Sequence, residues 1–287
     1  MTSASSLFPA PPAGGPVVVV IGSGDIGVAI ARRIGGSRQL LLADASKTRL
    51  DSALEGLRKD GFWPEGHILD VSDGNAVHEF AQHASRRGRI EVIVHTAGVS
   101  PMTNTSCPQI YKVNLVGTAY VIDSFYAVAS PGTSMICIAS TAAQFVTLST
   151  SLEQHLAKAP TNQLLQHAEL DLNSNDTMRA YGTSKRGNVL RVQAACYQWG
   201  QKGARIISVS PGGISTAMLE KEMQGDLRDH ILAHVERSGS RRIGTVHDVA
   251  GVVGFLTSQE ASFITGTDIS VDGGQVSGQR WHAAGPS

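Results

Sequence analysis

The chain is poor in cysteine, in aromatic side chains and in charge of either sign, and each shortage removes a class of protein. Its three cysteines, Cys107, Cys137 and Cys196, are scattered, with no pair at metal-ligand or redox-motif spacing. That argues against a disulfide scaffold and fits a reducing compartment, with each thiol serving as a small apolar group. Aromatic residues make up 5% of the 287 and charged residues 17%. Lysine plus arginine and aspartate plus glutamate both number 24, so the formal net charge is zero. Nucleic-acid binders carry a basic excess or stripe, so no nucleic-acid partner is expected. No apolar run is long enough to span a membrane, and the N-terminus has neither the basic head nor the apolar core of a signal peptide. The expectation is a cytoplasmic protein with no membrane partner.

What the chain does have is a regular alternation. Residues 1–16 are rich in Ser, Ala, Pro and Gly without a charged side chain, and read as a flexible leader. Val17-Val18-Val19-Val20-Ile21 then opens the fold as a β-branched run suited to a strand covered on both faces. Strand-like runs recur at 39–43, 67–71, 91–95, 134–139, 205–209 and 269–271, with helical stretches such as 27–34, 47–59 and 77–87 between them. Strands alternating with helices imply an α/β fold of Rossmann type, a doubly wound parallel sheet of about seven strands flanked by helices. No linker divides the chain, so 17–275 reads as one domain and 276–287 as a C-terminal tail, Trp281 and His282 included. The rhythm breaks at 143–179, an extended excursion with helical character around 152–172 and a polar Asn173-Ser174-Asn175-Asp176 turn.

The first strand runs straight into Gly22-Ser23-Gly24-Asp25-Ile26-Gly27, which opens a helix. Gly-x-Gly-x-x-Gly in that context is a dinucleotide fingerprint. The glycines allow a tight turn and close approach to a pyrophosphate lying on the helix N-terminus. Asp44 ends the second strand, where a carboxylate accepts hydrogen bonds from ribose hydroxyls and repels a 2′-phosphate. NAD is therefore the expected cofactor over NADP, although Lys47 and Arg49 stand close by. Asp70-Val71 ends the third apolar run, placed for the adenine, and Ala97-Gly98 after the fourth offers small residues beside the cofactor. Asp25 is expected to point into solvent.

Tyr181-Gly182-Thr183-Ser184-Lys185 sets a phenol and an ammonium one helical turn apart on one face. A nearby positive charge favours the phenolate, and a tyrosine tuned that way can exchange a proton with an alcohol oxygen. With these pieces in order, the chain from Val17 to Gly274 resembles the short-chain dehydrogenase/reductase family. Asn114 in Tyr111-Lys112-Val113-Asn114 matches the family's active-site asparagine, Ser140 its serine, and Tyr181 and Lys185 its Tyr-x-x-x-Lys pair. Pro211-Gly212-Gly213-Ile214 and Thr216 match the segment that touches the nicotinamide half, and Val271-Asp272-Gly273-Gly274 the last strand. Two departures stand out: the glycine loop is one residue shorter than usual, and His95-Thr96-Ala97-Gly98 replaces the frequent Asn-Asn-Ala-Gly. His95 reads as a residue satisfied locally at a strand end.

The resemblance implies hydride transfer between a nicotinamide and a hydroxyl-bearing carbon of a small alcohol or ketone. Tyr181 would act as acid/base, Lys185 would lower its pKa and hold the ribose, Ser140 would steady the substrate oxygen, and Asn114 would anchor a relay water. It also implies a homotetramer or homodimer. Segment 216–242 occupies the place of a mobile substrate flap, and apolar Leu148, Leu152, Met218, Leu219 and Met223 suggest a hydrophobic, steroid-like substrate. Two readings stand beside this one: an NADP-dependent ketone or acyl-carrier reductase, and a catalytically silent dinucleotide-binding regulator. His230 and His234 lie four apart but lack a third ligand at a telling spacing, so no metal is expected.

Overall fold

In the computed structural model, which describes residues 12, 14–101, 105–225 and 228–282 apart from the side chain of residue 230, seven parallel strands form one sheet. They are β1 (Gly14–Ile21), β2 (Gln39–Asp44), β3 (Pro64–Ile68), β4 (Gly88–His95), β5 (Ser134–Ile138), β6 (Arg205–Pro211) and β7 (Asp268–Val271). Their order is β3-β2-β1-β4-β5-β6-β7, so the winding reverses between β1 and β4. In an open α/β sheet the crevice at that reversal, outside the carboxyl ends of the strands, is where ligands bind.

Eleven helices are present among the described residues. On the first half of the chain they are α1 (Asp25–Ile34), α2 (Lys47–Lys59), α3 (Gly74–Arg87), α4 (Cys107–Ile110) and α5 (Gly117–Val128). The second half has α6 (Thr150–Lys158), α7 (Thr177–Gln201), α8 (Ala217–Met223), α9 (Arg228–Arg237), α10 (Val246–Leu256) and α11 (Gln275–His282). Because side chains alternate along a strand, the continuous apolar runs feed two cores at once. Val18, Val20, Leu40, Leu42, Val92 and Val94 pack with α1, α2 and α10, while Val17, Val19, Ile21, Leu41 and Ile93 pack with α3, α5 and α7.

Several boundaries differ from the sequence expectation, each for a local reason. β1 begins at Gly14, inside the expected leader, where Gly14 pairs with Gly88 of β4; residues 1–11 and 13 lie outside the described residues. β3 sits three positions earlier than 67–71. Leu69 and Val71, which suggested a strand, are buried beyond its end, Val71 against the backbone of Gly117. α3 starts at Gly74 because Asp73 caps it, accepting from the amides of Asn75 and Ala76.

The excursion 143–179 is mostly a clamp. Leu152 and Leu156 of α6 bury with Leu164 and Leu170 against Ile110, Tyr111 and Leu115, forming a third apolar cluster. Its helix carbonyls are orphan acceptors, and buried Arg191 of α7 donates to the oxygens of Leu156 (3.3 Å) and Ala159 (3.0 Å). Arg186 of α7 adds a paired bond to Glu153, at 2.8 and 2.6 Å. The tail is not free either: Gln275–His282 is helical and packs against α9.

Candidate active site

The glycine loop is shaped by what surrounds it. Gly22 takes φ +106°, and a side-chain carbon there would lie 2.3 Å from Thr96 Oγ1. A carbon on Gly27 would lie 1.9 Å from the Gly22 oxygen, so only glycine lets α1 approach the loop. Gly24 faces open space, and no side chain caps α1. The first amides of that helix are thus presented to whatever anion approaches, which is the fit a pyrophosphate requires. Thr96 ties the loop to β4 by donating to the Gly22 oxygen at 3.0 Å, and the Ala97 amide donates to the Ile21 oxygen at 2.9 Å.

Asp44 is nearly buried, and both its oxygens are engaged. One accepts from the Ser23 amide (2.8 Å) and hydroxyl (2.9 Å), the other from the Ser46 amide at 2.8 Å. Arg49 lies 3.3 Å away with its side chain largely exposed. Asp25 is exposed, as expected, and its carboxylate also accepts from the Ala217 amide at 2.8 Å, linking the loop to α8. The physical reason is that the first amides of a helix lack internal partners, and Asp25 supplies one across the cleft.

The catalytic-type residues converge from three elements. Asp176 caps α7 by accepting from the Arg179 amide (2.9 Å) and so fixes the turn carrying Tyr181 and Lys185. Gly182 has no room for a side chain, since one would lie 2.4 Å from Val146, and this brings α7 against the 3-10 turn 141–144. Ser140 caps that turn, two residues past the end of β5, and its hydroxyl is hydrogen-bonded to Tyr181. Lys185 donates to the Ile138 oxygen at 3.1 Å, with its Nζ 5.6 Å from the Tyr181 ring centre. Asn114 sits in a π-helical turn, 111–116, and its amide grips Val99 from both sides, at 2.8 and 2.9 Å. A π-helical turn of this kind is often found at functional sites.

The electrostatics correct the expectation for Tyr181. Burial pushes its phenol up to about 12, the Ser140 hydrogen bond opposes that, and Glu222 adds to it. Burial also brings Lys185 down to about 8. A nearby cation favours a phenolate and burial disfavours it, and for Tyr181 burial is the largest influence. His95 is satisfied locally through Nε2, 3.0 Å from Thr118 Oγ1, while its Nδ1 has no partner. Thr118 donates its own proton to the Asn114 oxygen, so His95 carries its proton on Nε2. Burial, and then Lys185, lower His95 to about 3, which keeps it neutral.

These residues border a cavity of about 800 Å³. Ile26, Gly98, Ser140, Tyr181, Lys185, Pro211, Gly212, Ile214 and Thr216 all line it. Gly22, Gly24, Asp25, Gly27, Asp44, Ala97 and Asn114 are not among its lining residues. Asp70 lies apart, in a second depression with His78 and Lys112, its carboxylate accepting from the Ser72 amide at 2.9 Å. Val71 is core.

The sequence reading missed several cavity residues. Glu222 of α8 lines it half-buried, accepts from the Ser100 hydroxyl at 2.7 Å, and is raised by burial. Gln275 and Gln279 enter from α11, and Gln275 also bonds His234 Nδ1 at 2.8 Å. The one available signal was Glu222 within Ala217-Met218-Leu219-Glu220-Lys221-Glu222-Met223, a carboxylate four and three residues from apolar Met218 and Leu219 and so on their face of the helix. Only the two ends of the 143–179 excursion line the cavity, with Phe145, Val146 and Thr147 at one and Asp176, Met178 and Arg179 at the other.

A seven-stranded parallel sheet that reverses at β1/β4, a glycine loop at that point and a Tyr-x-x-x-Lys pair beside it define a nucleotide-binding oxidoreductase class. The chain belongs to the short-chain dehydrogenase/reductase family: the short chain dehydrogenase model matches residues 16–176, and the enoyl-(acyl carrier protein) reductase model matches 168–275. A short-chain dehydrogenase/reductase of Alternaria brassicicola is 37% identical over 90% of this chain and 95% of its own. The meso-2,3-butanediol dehydrogenase of Serratia marcescens is 31% identical over 90% and 93%. A short-chain dehydrogenase from Burkholderia cenocepacia, solved in complex with NADP, shares the fold with a TM-score of 0.70 at 21% identity, over 90% of this chain and 96% of its own. Family members use NAD(P), and among the described residues no helix is long and apolar enough to cross a membrane.

Proposed function

We propose that this chain interconverts a secondary alcohol and a ketone with NAD(H), Tyr181 exchanging the proton. The observation that carries the reading is Tyr181 at the cavity wall, hydrogen-bonded to Ser140 and one turn from Lys185. The nicotinamide, when bound, supplies or accepts the hydride. Gly22, Gly24, Ile26 and Gly27 would hold the pyrophosphate, Asp44 the adenosine ribose, and Pro211, Gly212, Ile214 and Thr216 the nicotinamide half.

With its pKa near 12, Tyr181 is protonated at neutral pH, so its resting role is proton donor to a carbonyl oxygen. Ser140 donates to the same oxygen and steadies the charge that develops there. Lys185, anchored on the Ile138 oxygen, would hold the ribose and resupply the proton. The Asn114 side chain is committed to Val99, so a relay water would meet its backbone carbonyl. Phe145, Val146, Met178, Met218 and Leu219 offer apolar lining, with Glu222 and Arg179 as charged groups among it. That suits a hydrophobic substrate carrying a polar group, with 216–242 as its flap and a homodimer or homotetramer as the assembly.

A panel of alcohols and ketones with NADH or NAD, run on wild type and Tyr181→Phe, tests the proposal. The expected result is a loss of roughly 10²–10⁴ in kcat with the NADH dissociation constant unchanged. Equal inactivity of both proteins on every substrate, despite NADH binding, would favour a silent dinucleotide-binding regulator. The NADP-dependent alternative rests on Arg49, whose guanidinium stands beside Asp44.

A further inference from the structure

The outer edge strand of the sheet carries a group of side chains that the proposed reaction does not use. β3 is an edge strand, paired only with β2. Gly66 faces α2, where a side-chain carbon would lie 2.4 Å from Leu54. Glu65 and His67, its neighbours, therefore share the opposite face. There His67 Nε2 lies 3.0 Å and His83 Nε2 of α3 lies 2.7 Å from the same oxygen of Glu65. All three ligand-type atoms fall within 4.8 Å of one another, and all three side chains are half-buried.

We propose that Glu65, His67 and His83 bind one divalent transition-metal ion of the zinc class, with water completing the coordination. Two imidazoles and a carboxylate are a known zinc donor set, and imidazole selects zinc, nickel or copper over magnesium. A tetrahedral zinc centre separates its ligand atoms by about 3.3 Å, given metal–ligand bonds near 2.0 Å. The observed 3.0 and 2.7 Å need only a small outward adjustment, and the two imidazole nitrogens lie within 4.8 Å of each other. Arg87 holds the second Glu65 oxygen at 3.0 Å, which leaves the first as a single-oxygen ligand, the kind of outer partner that orients metal-binding carboxylates.

Without metal, each ring can donate its Nε2 proton to Glu65. On binding, that proton resides on Nδ1 and the Nε2 lone pair takes the ion, so no redox partner is needed. Burial, then His83, lower the His67 pKa and favour the neutral ring that coordination requires. The ion would pin the edge strand to α3. The Arg87 charge opposes the dication, so the affinity belongs near the micromolar range and not with tight structural zinc.

The test is a zinc titration of the full chain, free of any affinity tag, against a chromogenic chelator. Wild type is expected to bind one equivalent and to gain melting temperature, with magnesium unable to compete. His67→Gln and His83→Gln should each weaken binding by at least ~10-fold, as should the milder Glu65→Gln, while NADH binding persists and shows the variants folded. His234→Gln should bind zinc as wild type does. Absence of a stoichiometric site, or zinc binding that survives all three ligand substitutions, overturns the proposal.

Discussion

Asp44→Asn separates the two jobs assigned to Asp44, holding the loop and choosing the cofactor. The carboxylate accepts three hydrogen bonds in a nearly buried position, from the Ser23 amide, the Ser23 hydroxyl and the Ser46 amide. An asparagine can keep its oxygen towards Ser23, but its NH₂ then faces the Ser46 amide, donor against donor. One bond to a charged acceptor is lost, at about 1.5–3 kcal/mol. For a chain of this size that lowers the melting temperature by roughly 3–12 °C.

The effect on cofactor choice has the opposite sign. A 2′-phosphate about 5 Å from the carboxylate meets about 3 kcal/mol of repulsion per unit charge at an effective dielectric near 20. Arg49, 3.3 Å from Asp44, together with solvent screening, removes half or more of it. About 1.5 kcal/mol remains, so the variant should shift the NADPH-to-NADH affinity ratio by roughly tenfold towards NADPH. Fluorescence titration of both cofactors, with a thermal melt on the same samples, measures both effects. A destabilised variant whose cofactor ratio equals that of wild type would refute Asp44 as the discriminator.

Lys185→Met should abolish turnover yet stabilise the fold. The ammonium titrates near 8 in the folded chain against 10.5 when unfolded, so between those values the folded state binds fewer protons and wild-type stability rises with pH. Below pH 8 the full penalty, about 3 kcal/mol, stands; denaturation at pH 7 and 10 should show the rise in wild type and not in the variant, and parallel curves would contradict it. Glu222→Gln removes a carboxylate that raises Tyr181, so the ionisation of Tyr181 and the pH profile of alcohol oxidation should both move to lower pH. An unmoved profile would mean that Glu222 does not act on the phenol.

The sheet was readable in the chain because its strands are buried on both faces. Runs such as Val17–Ile21 must be continuous when alternate residues fill two different cores. β3 was misplaced because it is an edge strand of sequence Pro-Glu-Gly-His-Ile, whose pattern is diluted by Gly66 and by the Glu65 and His67 side chains. The helix in the C-terminal tail was not legible for a similar reason. α11 is held by contacts with α9 and by Gln275 on His234, and neither contact leaves a local signal.

The sequence by itself determined the fold class and the glycine loop and singled out Ser140, Tyr181 and Lys185 as candidates, because these depend on local spacing and on steric rules of the backbone. Only the tertiary structure decided their chemistry. Whether Lys185 or burial governs Tyr181 depends on how deeply α7 sinks beside the 3-10 turn 141–144. That Glu222, Gln275 and Gln279 share the cavity depends on α8 and α11 folding back from beyond β6 and β7. Proton affinity is set by desolvation and by neighbours distant in sequence, and both come into being only when the chain closes on itself.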